Sequence, residues 1–148
     1  IFKGLGTRVL YTSQGGYDTH ANQVSVQTPL LSDLSAGIGD FFADLSEHDA
    51  ADNVMMLVFT EFGRRVKDNG SGSDHGSGGG CYLIGQPVKG GTLGDYPSLK
   101  EEDQLDGDLH FNVDFRSVYS TIVDKWLGLD AQTAIGGDYE TLDFVRSN

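Results

Sequence analysis

Apolar residues along this chain follow two different periods. From Pro29, Leu30, Leu31, Leu34, Ile38, Phe41, Phe42 and Leu45 recur every three or four positions, which predicts a helix with a broad apolar stripe. A second helix is predicted from Asp114, a suitable N-cap. Phe115, Val118, Tyr119, Ile122, Val123, Trp126 and Leu127 form its core face, and Gly128 suits the position after its end. Thr7 to Thr12 alternates and is rich in β-formers, so it reads as a strand. Asn53 to Thr60 is a continuous apolar run without alternation, the pattern of a strand buried on both faces in a parallel sheet. Strand, helix and buried strand make a right-handed βαβ unit. The fold class expected is therefore α/β, a mainly parallel sheet flanked by helices. Cys81 to Gly85 predicts another short strand, Gly70 to Gly80 a glycine-rich loop, and residues 86 to 110 an irregular excursion. Tyr139 to Val145 predicts a last turn or strand. No repeat or internal boundary is visible, so residues 1–148 read as one domain.

Charge narrows the partners. Ten Lys and Arg stand against 22 Asp and Glu, a net charge of −12. Nucleic acid and anionic membrane both need a cationic face, so neither is an expected partner. An acidic chain is soluble and suits cation binding. No stretch approaches the roughly 20 apolar residues of a membrane span. The single cysteine, Cys81, excludes an internal disulfide and a thiolate zinc cluster. The chain opens at Ile1, directly before a predicted strand, and reads as the C-terminal portion of a longer domain whose N-terminal half lies elsewhere.

Three polar clusters follow predicted strands or share a loop with one: Asp18-Thr19-His20, Thr60-Glu61-Phe62-Gly63-Arg64 and Asp74-His75-Gly76. In open α/β sheets, ligands bind where loops converge at the carboxyl ends of strands. Carboxylate and imidazole together suit Zn²⁺, Mn²⁺ or Fe rather than Ca²⁺ or Mg²⁺. Each residue also has a plain structural use. Asp18 suits a turn or cap, His20 a surface hydrogen bond, and Asp74-His75 a solvated turn. Arg64 and Arg65 can pair with nearby acids, and arginine also clamps phosphate or sulfate. His48, at a predicted helix end, offsets the helix dipole. Glu61 directly after a buried strand is harder to explain structurally, since an unpaired buried carboxylate is costly.

In order along the chain, Gly15-Gly16-Tyr17-Asp18-Thr19-His20, Thr60-Glu61-Phe62-Gly63-Arg64-Arg65, Asp74-His75-Gly76 and Asp114-Phe115-Arg116 form a combined pattern. It resembles an uncharacterised bacterial family, domain of unknown function 1501, placed within the alkaline phosphatase and sulfatase superfamily. The resemblance runs from about Val9 to Leu129. It implies a three-layer α/β/α sandwich, present here in part, and hydrolysis of phosphate or sulfate esters at one or two divalent metals, zinc first among them. It implies Asp18, His20, Glu61, Asp74 and His75 as the metal-ligand set and Arg64 as the residue that steadies the anionic ester. It also implies export to the periplasm or beyond. Phe62 stands where many superfamily members have a ligating histidine, which favours one metal over two. No residue here corresponds to the superfamily's nucleophile. The alternative reading is a non-catalytic exported module that keeps the fold and binds a partner such as a cell-surface polymer.

Overall fold

The computed structural model of the chain describes residue 1 and residues 4–146. Residues 4 to 16 run without regular secondary structure, and Val9, Leu10 and Tyr11 are all more than two-thirds exposed. Helix α1, Gln23–Glu47, follows. Its predicted start at Pro29 is six residues too late, because the first turn is held from outside. The Ser71 hydroxyl accepts the Asn22 amide at 2.8 Å, and the Ser71 carbonyl accepts the Gln23 amide at 3.2 Å. Those are orphan donors that a helix start must satisfy somewhere. Leu45, near the other end of α1, is fully buried. Leu34, Ile38, Phe41 and Phe42 are half-buried and Leu31 is exposed, so the apolar stripe is only partly covered.

Four short strands follow: β1 Met56–Val58, β2 Gly63–Asp68, β3 Ser73–Gly76 and β4 Tyr82–Ile84. They make two separate two-stranded antiparallel sheets, β1 with β4 and β2 with β3. This overturns the expected mainly parallel sheet and three-layer sandwich. Thr7 to Thr12 has the composition of a strand but no ladder partner among the described residues, so the βαβ unit lacks its first member. β1 pairs instead with β4, Met56 opposite Ile84 and Val58 opposite Tyr82. That antiparallel pairing needs only a compact connection rather than a helical crossover. The connection is the β2–β3 hairpin itself, in which Gly63 faces Gly76 and Arg64 faces His75. Gly63 is there for close approach: a Cβ on it would lie 2.0 Å from the Gly78 carbonyl oxygen.

The second predicted helix is present as α2, Phe115–Thr121, continued by a π-helical turn over Ile122–Trp126. Asp114 caps it as expected, its carboxylate accepting the Arg116 amide at 2.9 Å, and Gly128 takes the left-handed conformation, φ +63°. Helix α3, Ala131–Ile135, is capped by Asp130 and closed by Gly136, φ +81°. The small core lies where α2 meets the end of the chain. Val118 and Phe144 are buried there, with Ser117, Ser120 and Thr121. The Thr121 hydroxyl donates to the Ser117 carbonyl and accepts the Leu142 amide. Residues 143 to 146 are tied to the segment after β4. Val145 bridges Val88, the Phe144 carbonyl accepts the Lys89 amide, and Arg146 donates to Pro87 and Val88.

The accessible surface is 10447 Å², whereas a compact chain of this mass exposes about 7,400 Å². Few side chains are fully buried, so hydrogen bonds between loops carry much of the local order. No described helix is long and apolar enough to cross a membrane.

Candidate metal centre

The β2–β3 hairpin is the platform. Its turn is built by the Asp68 and Asn69 side chains folding onto the backbone. Asp68 accepts the Gly70 amide at 2.8 Å, and the Asn69 side-chain oxygen accepts the amides of Ser71 and Gly72. Asn and Asp do this readily, and Gly70, φ +91°, supplies the left-handed position. The turn is closed by the Asn69 amide donating to the Gly72 carbonyl at 2.9 Å.

The loop from Tyr17 to Ala21 lies against this hairpin. The Arg64 guanidinium donates to the carbonyls of Tyr17 and Thr19, each at 2.7 Å, and to that of Ser73 at 2.5 Å. The Asn69 side-chain amide reaches the His20 carbonyl at 3.0 Å. From α1, Gln27 donates to the Tyr17 carbonyl and the Thr19 hydroxyl.

These contacts bring together residues far apart in the chain. Asp18 Oδ1 lies 2.7 Å from His75 Nε2 and 3.0 Å from His20 Nε2. His20 Nδ1 lies 3.0 Å from Asp74 Oδ1, which also accepts the Asn69 amide at 3.2 Å. The two imidazole rings are 4.9 Å apart, and Phe62 stacks on His75 at 4.2 Å with the planes 12° from parallel. All four polar side chains are roughly half exposed. The His75 hydrogen bond, seconded by His20, holds the Asp18 carboxyl below its ordinary value. The His20 bond, followed by that from Asn69, does the same for Asp74.

Among the described residues, Asp18, His20 and His75 each offer one donor atom within 4.8 Å of the others. Tetrahedral zinc ligands sit about 3.3 Å apart, given bonds of about 2.0–2.1 Å. The two Asp18 contacts, at 2.7 and 3.0 Å, are a few tenths of an ångström shorter than that separation. Asp74 meets the other nitrogen of His20. With an ion on Nε2, a carboxylate there would accept the Nδ1 proton, the usual outer support of a ligating histidine.

Of the residues expected to share a site, Asp18, His20 and His75 converge and Asp74 stands behind His20. Glu61 is exposed just beyond β1, its contact being the Thr60 hydroxyl at 3.4 Å, and lies outside the converging set. Arg64 is present at the centre but holds main chain. Asn69 was not anticipated, although Asn69-Gly70 is a strong hairpin-turn signal that would have drawn attention to it. Hydroxyls around the centre are tied to the scaffold: Ser73 donates to Gln23 and Ser77 to the Leu109 carbonyl.

The chain is thus a mixed α and β protein that presents a half-exposed carboxylate–imidazole cluster on a hairpin and the loop beside it. It belongs to the family described as Protein of unknown function (DUF1501), which matches residues 3–140. No curated protein and no solved structure matches the chain.

Proposed function

We propose that Asp18, His20 and His75 hold one divalent transition-metal ion, zinc in the first instance with manganese or iron as alternatives, and that the ion serves hydrolysis of a phosphate or sulfate ester. The supporting observation is the approach of three donor atoms, from two segments separated by more than fifty residues, to within 4.8 Å. One carboxylate and two imidazoles are a donor set these metals favour, and three protein ligands leave positions open, as in catalytic rather than structural sites. A divalent ion so placed polarises an ester oxygen and lowers the pKa of an attacking hydroxyl or water. By the resemblance to the alkaline phosphatase and sulfatase superfamily, Phe62, whose ring stacks on His75, stands where many members have a ligating histidine, which favours a single ion. A link to the alkaline phosphatase and sulfatase superfamily, and export to the periplasm or beyond, belong to the same proposal. They rest on the order of the motifs and not on the sheets.

The test is metal content and turnover together. Purified chain reconstituted with zinc, manganese or iron is assayed on p-nitrophenyl phosphate and p-nitrophenyl sulfate, beside Asp18→Ala and His75→Ala. One equivalent of metal and measurable turnover, both lost in the variants, is the expected outcome. Equal metal content in all three proteins would sink the reading. A second reading is favoured by Phe62, which puts an apolar ring against the centre where a hydrolase would place a polar group. It is a non-catalytic module that binds a partner such as a cell-surface polymer. Metal binding without turnover of either ester, in the protein with its N-terminal half supplied, would select it.

A further inference from the structure

We infer that Arg64 is the positioning residue of this centre, holding in register the two segments that carry its ligands. The inference rests on the metal reading above and deepens it. The Tyr17 and Thr19 carbonyls that Arg64 grips flank Asp18, and the Ser73 carbonyl precedes Asp74 and His75. One guanidinium therefore fixes the backbone on both sides of the first ligand and joins it to the strand that bears the third.

The number of carbonyls it holds is what distinguishes this arginine, since the Arg8 and Arg146 side chains each reach one and that of Arg64 reaches three. Arg116 pairs with the Asp114 carboxylate at 2.6 Å, and Arg65 lies 4.0 Å from that of Asp108. Arg64 bonds to carbonyls instead, the two on either side of Asp18 and the one before Asp74. Those carboxylates are left facing the imidazoles. Had Arg64 paired with Asp18, the ligand oxygen would be neutralised by a cation that competes with the metal. The guanidinium also lies 4.9 Å from the centre of the Phe62 ring, the ring that stacks on His75. The same cation thus braces His75 through Phe62. Register adds a third constraint, because Arg64 and His75 are paired across β2 and β3. A planar fork with several fixed donors can hold carbonyls of two segments at once, whereas a lysine ammonium is a point charge on a flexible stem.

Arg64→Met, Arg64→Lys and, as a charge control on the same strand, Lys67→Met are compared with the unaltered chain. Cobalt(II) is titrated and followed by its visible absorption, and zinc by calorimetry. In the metal-free proteins, the nuclear Overhauser contact between the His20 and His75 rings is measured. Affinity should fall about 10- to 100-fold in Arg64→Met, the range for losing a group that orients a ligand. Its cobalt spectrum should change in shape, because ligand geometry changes. Arg64→Lys should recover part of the loss, Lys67→Met should match the parent, and the His20–His75 contact should vanish in Arg64→Met alone. Parental affinity and spectrum in Arg64→Met would overturn the inference. If the parent itself binds neither ion, the metal reading fails. The ring contact then decides the role of Arg64, persistence in Arg64→Met refuting it and loss supporting it. Should Arg64→Met be unfolded by circular dichroism, Arg64→Lys, which keeps the charge, carries the comparison on the same criteria.

Discussion

Replacing Asp74 by alanine separates a metal ligand from the residue that orients one. Asp74 Oδ1 sits 3.0 Å from His20 Nδ1, while the donor atoms that converge belong to Asp18, His20 and His75. If Asp74 acts behind His20, its removal leaves all three donors in place. What is lost is the acceptor that, with an ion on Nε2, takes the Nδ1 proton and fixes the ring. Losing such a support lowers metal affinity about 10- to 100-fold. Losing a ligand outright, as in His75→Ala, should lower it by more than about a hundredfold and change the coordination number. Calorimetric titration with zinc gives both affinities, and the cobalt absorption intensity reports the coordination number. The expected pattern is a moderate loss with the parental cobalt spectrum in Asp74→Ala, and a severe loss with an altered spectrum in His75→Ala. Asp74→Asn should lie between the parent and Asp74→Ala, since an amide oxygen still accepts from Nδ1 but without charge. If Asp74→Ala proves as damaging as His75→Ala and alters the spectrum in the same way, Asp74 is a ligand and the tautomer argument is wrong. If it costs nothing, His20 does not take part through Nε2.

Three further outcomes probe the scaffold. Gly63→Ala puts a methyl 2.0 Å from the Gly78 carbonyl oxygen, so the hairpin must spread at the pair that adjoins Arg64 and His75; both melting temperature and zinc affinity should drop, and an unchanged affinity would show that the centre does not depend on that register. Phe144→Ala empties the largest fully buried side chain and should destabilise by about 3 to 5 kcal/mol, lowering the melting temperature by roughly 10 °C, while a loss below about 1 kcal/mol would mean the site collapses freely. Part of the acid sensitivity should arise at the cap of α2. The Arg116 side chain and amide hold the Asp114 carboxyl below its ordinary 3.8, so the charged cap favours the folded helix at pH above 3.8 and the benefit disappears as pH falls through the lowered value. Far-ultraviolet circular dichroism between pH 6 and pH 2 should show a shallower acid loss in Asp114→Asn than in the parent, and identical acid profiles would remove Asp114 from the account.

What could be read from the residues alone follows a physical division. The caps of α2 were legible, because Asp114 and Gly128 act on groups within a few positions of themselves. The apolar runs over Met56–Val58 and Tyr82–Ile84 were legible as strands, because composition marks a strand locally. Their pairing was not, since nothing local to Leu57 specifies that it faces Leu83 rather than a parallel neighbour. The same limit explains Thr7 to Thr12, whose alternation is that of a strand but which has no ladder partner among the described residues. Helix α1 begins early for a related reason, its first amides being satisfied by Ser71, a partner 49 residues away. The β2–β3 hairpin was hidden inside a glycine-rich stretch. Its residues Ser73, Asp74, His75 and Gly76 lack an apolar alternation, and only Asn69-Gly70 announced the turn.

The candidate centre was more legible than the fold, and the chain's construction explains why. The ordered motifs named Asp18, His20, Glu61, Asp74 and His75 together; Asp18, His20 and His75 lie close to one another with Asp74 behind His20 and Glu61 apart, although the sheet edge invoked to gather them is not formed among the described residues. They are gathered instead by polar groups lying within or beside the same motifs: Arg64 on three carbonyls, Asn69 on the His20 carbonyl and Asp74, and Gln27 on Tyr17 and Thr19. In a chain that leaves about 3,000 Å² more surface exposed than its mass requires, a rigid apolar core cannot supply that precision. Hydrogen bonds must supply it, and each is half exposed and individually weak. A site held this way should tighten when its ligand arrives, because an ion bridging Asp18, His20 and His75 replaces soft contacts by strong bonds across the two segments. Zinc should therefore slow amide exchange in Tyr17 to Ala21 and Ser73 to Gly76 far more than in α2 or α3. Uniform slowing over the whole chain would instead mean that the ion stabilises a fold already rigid at the centre.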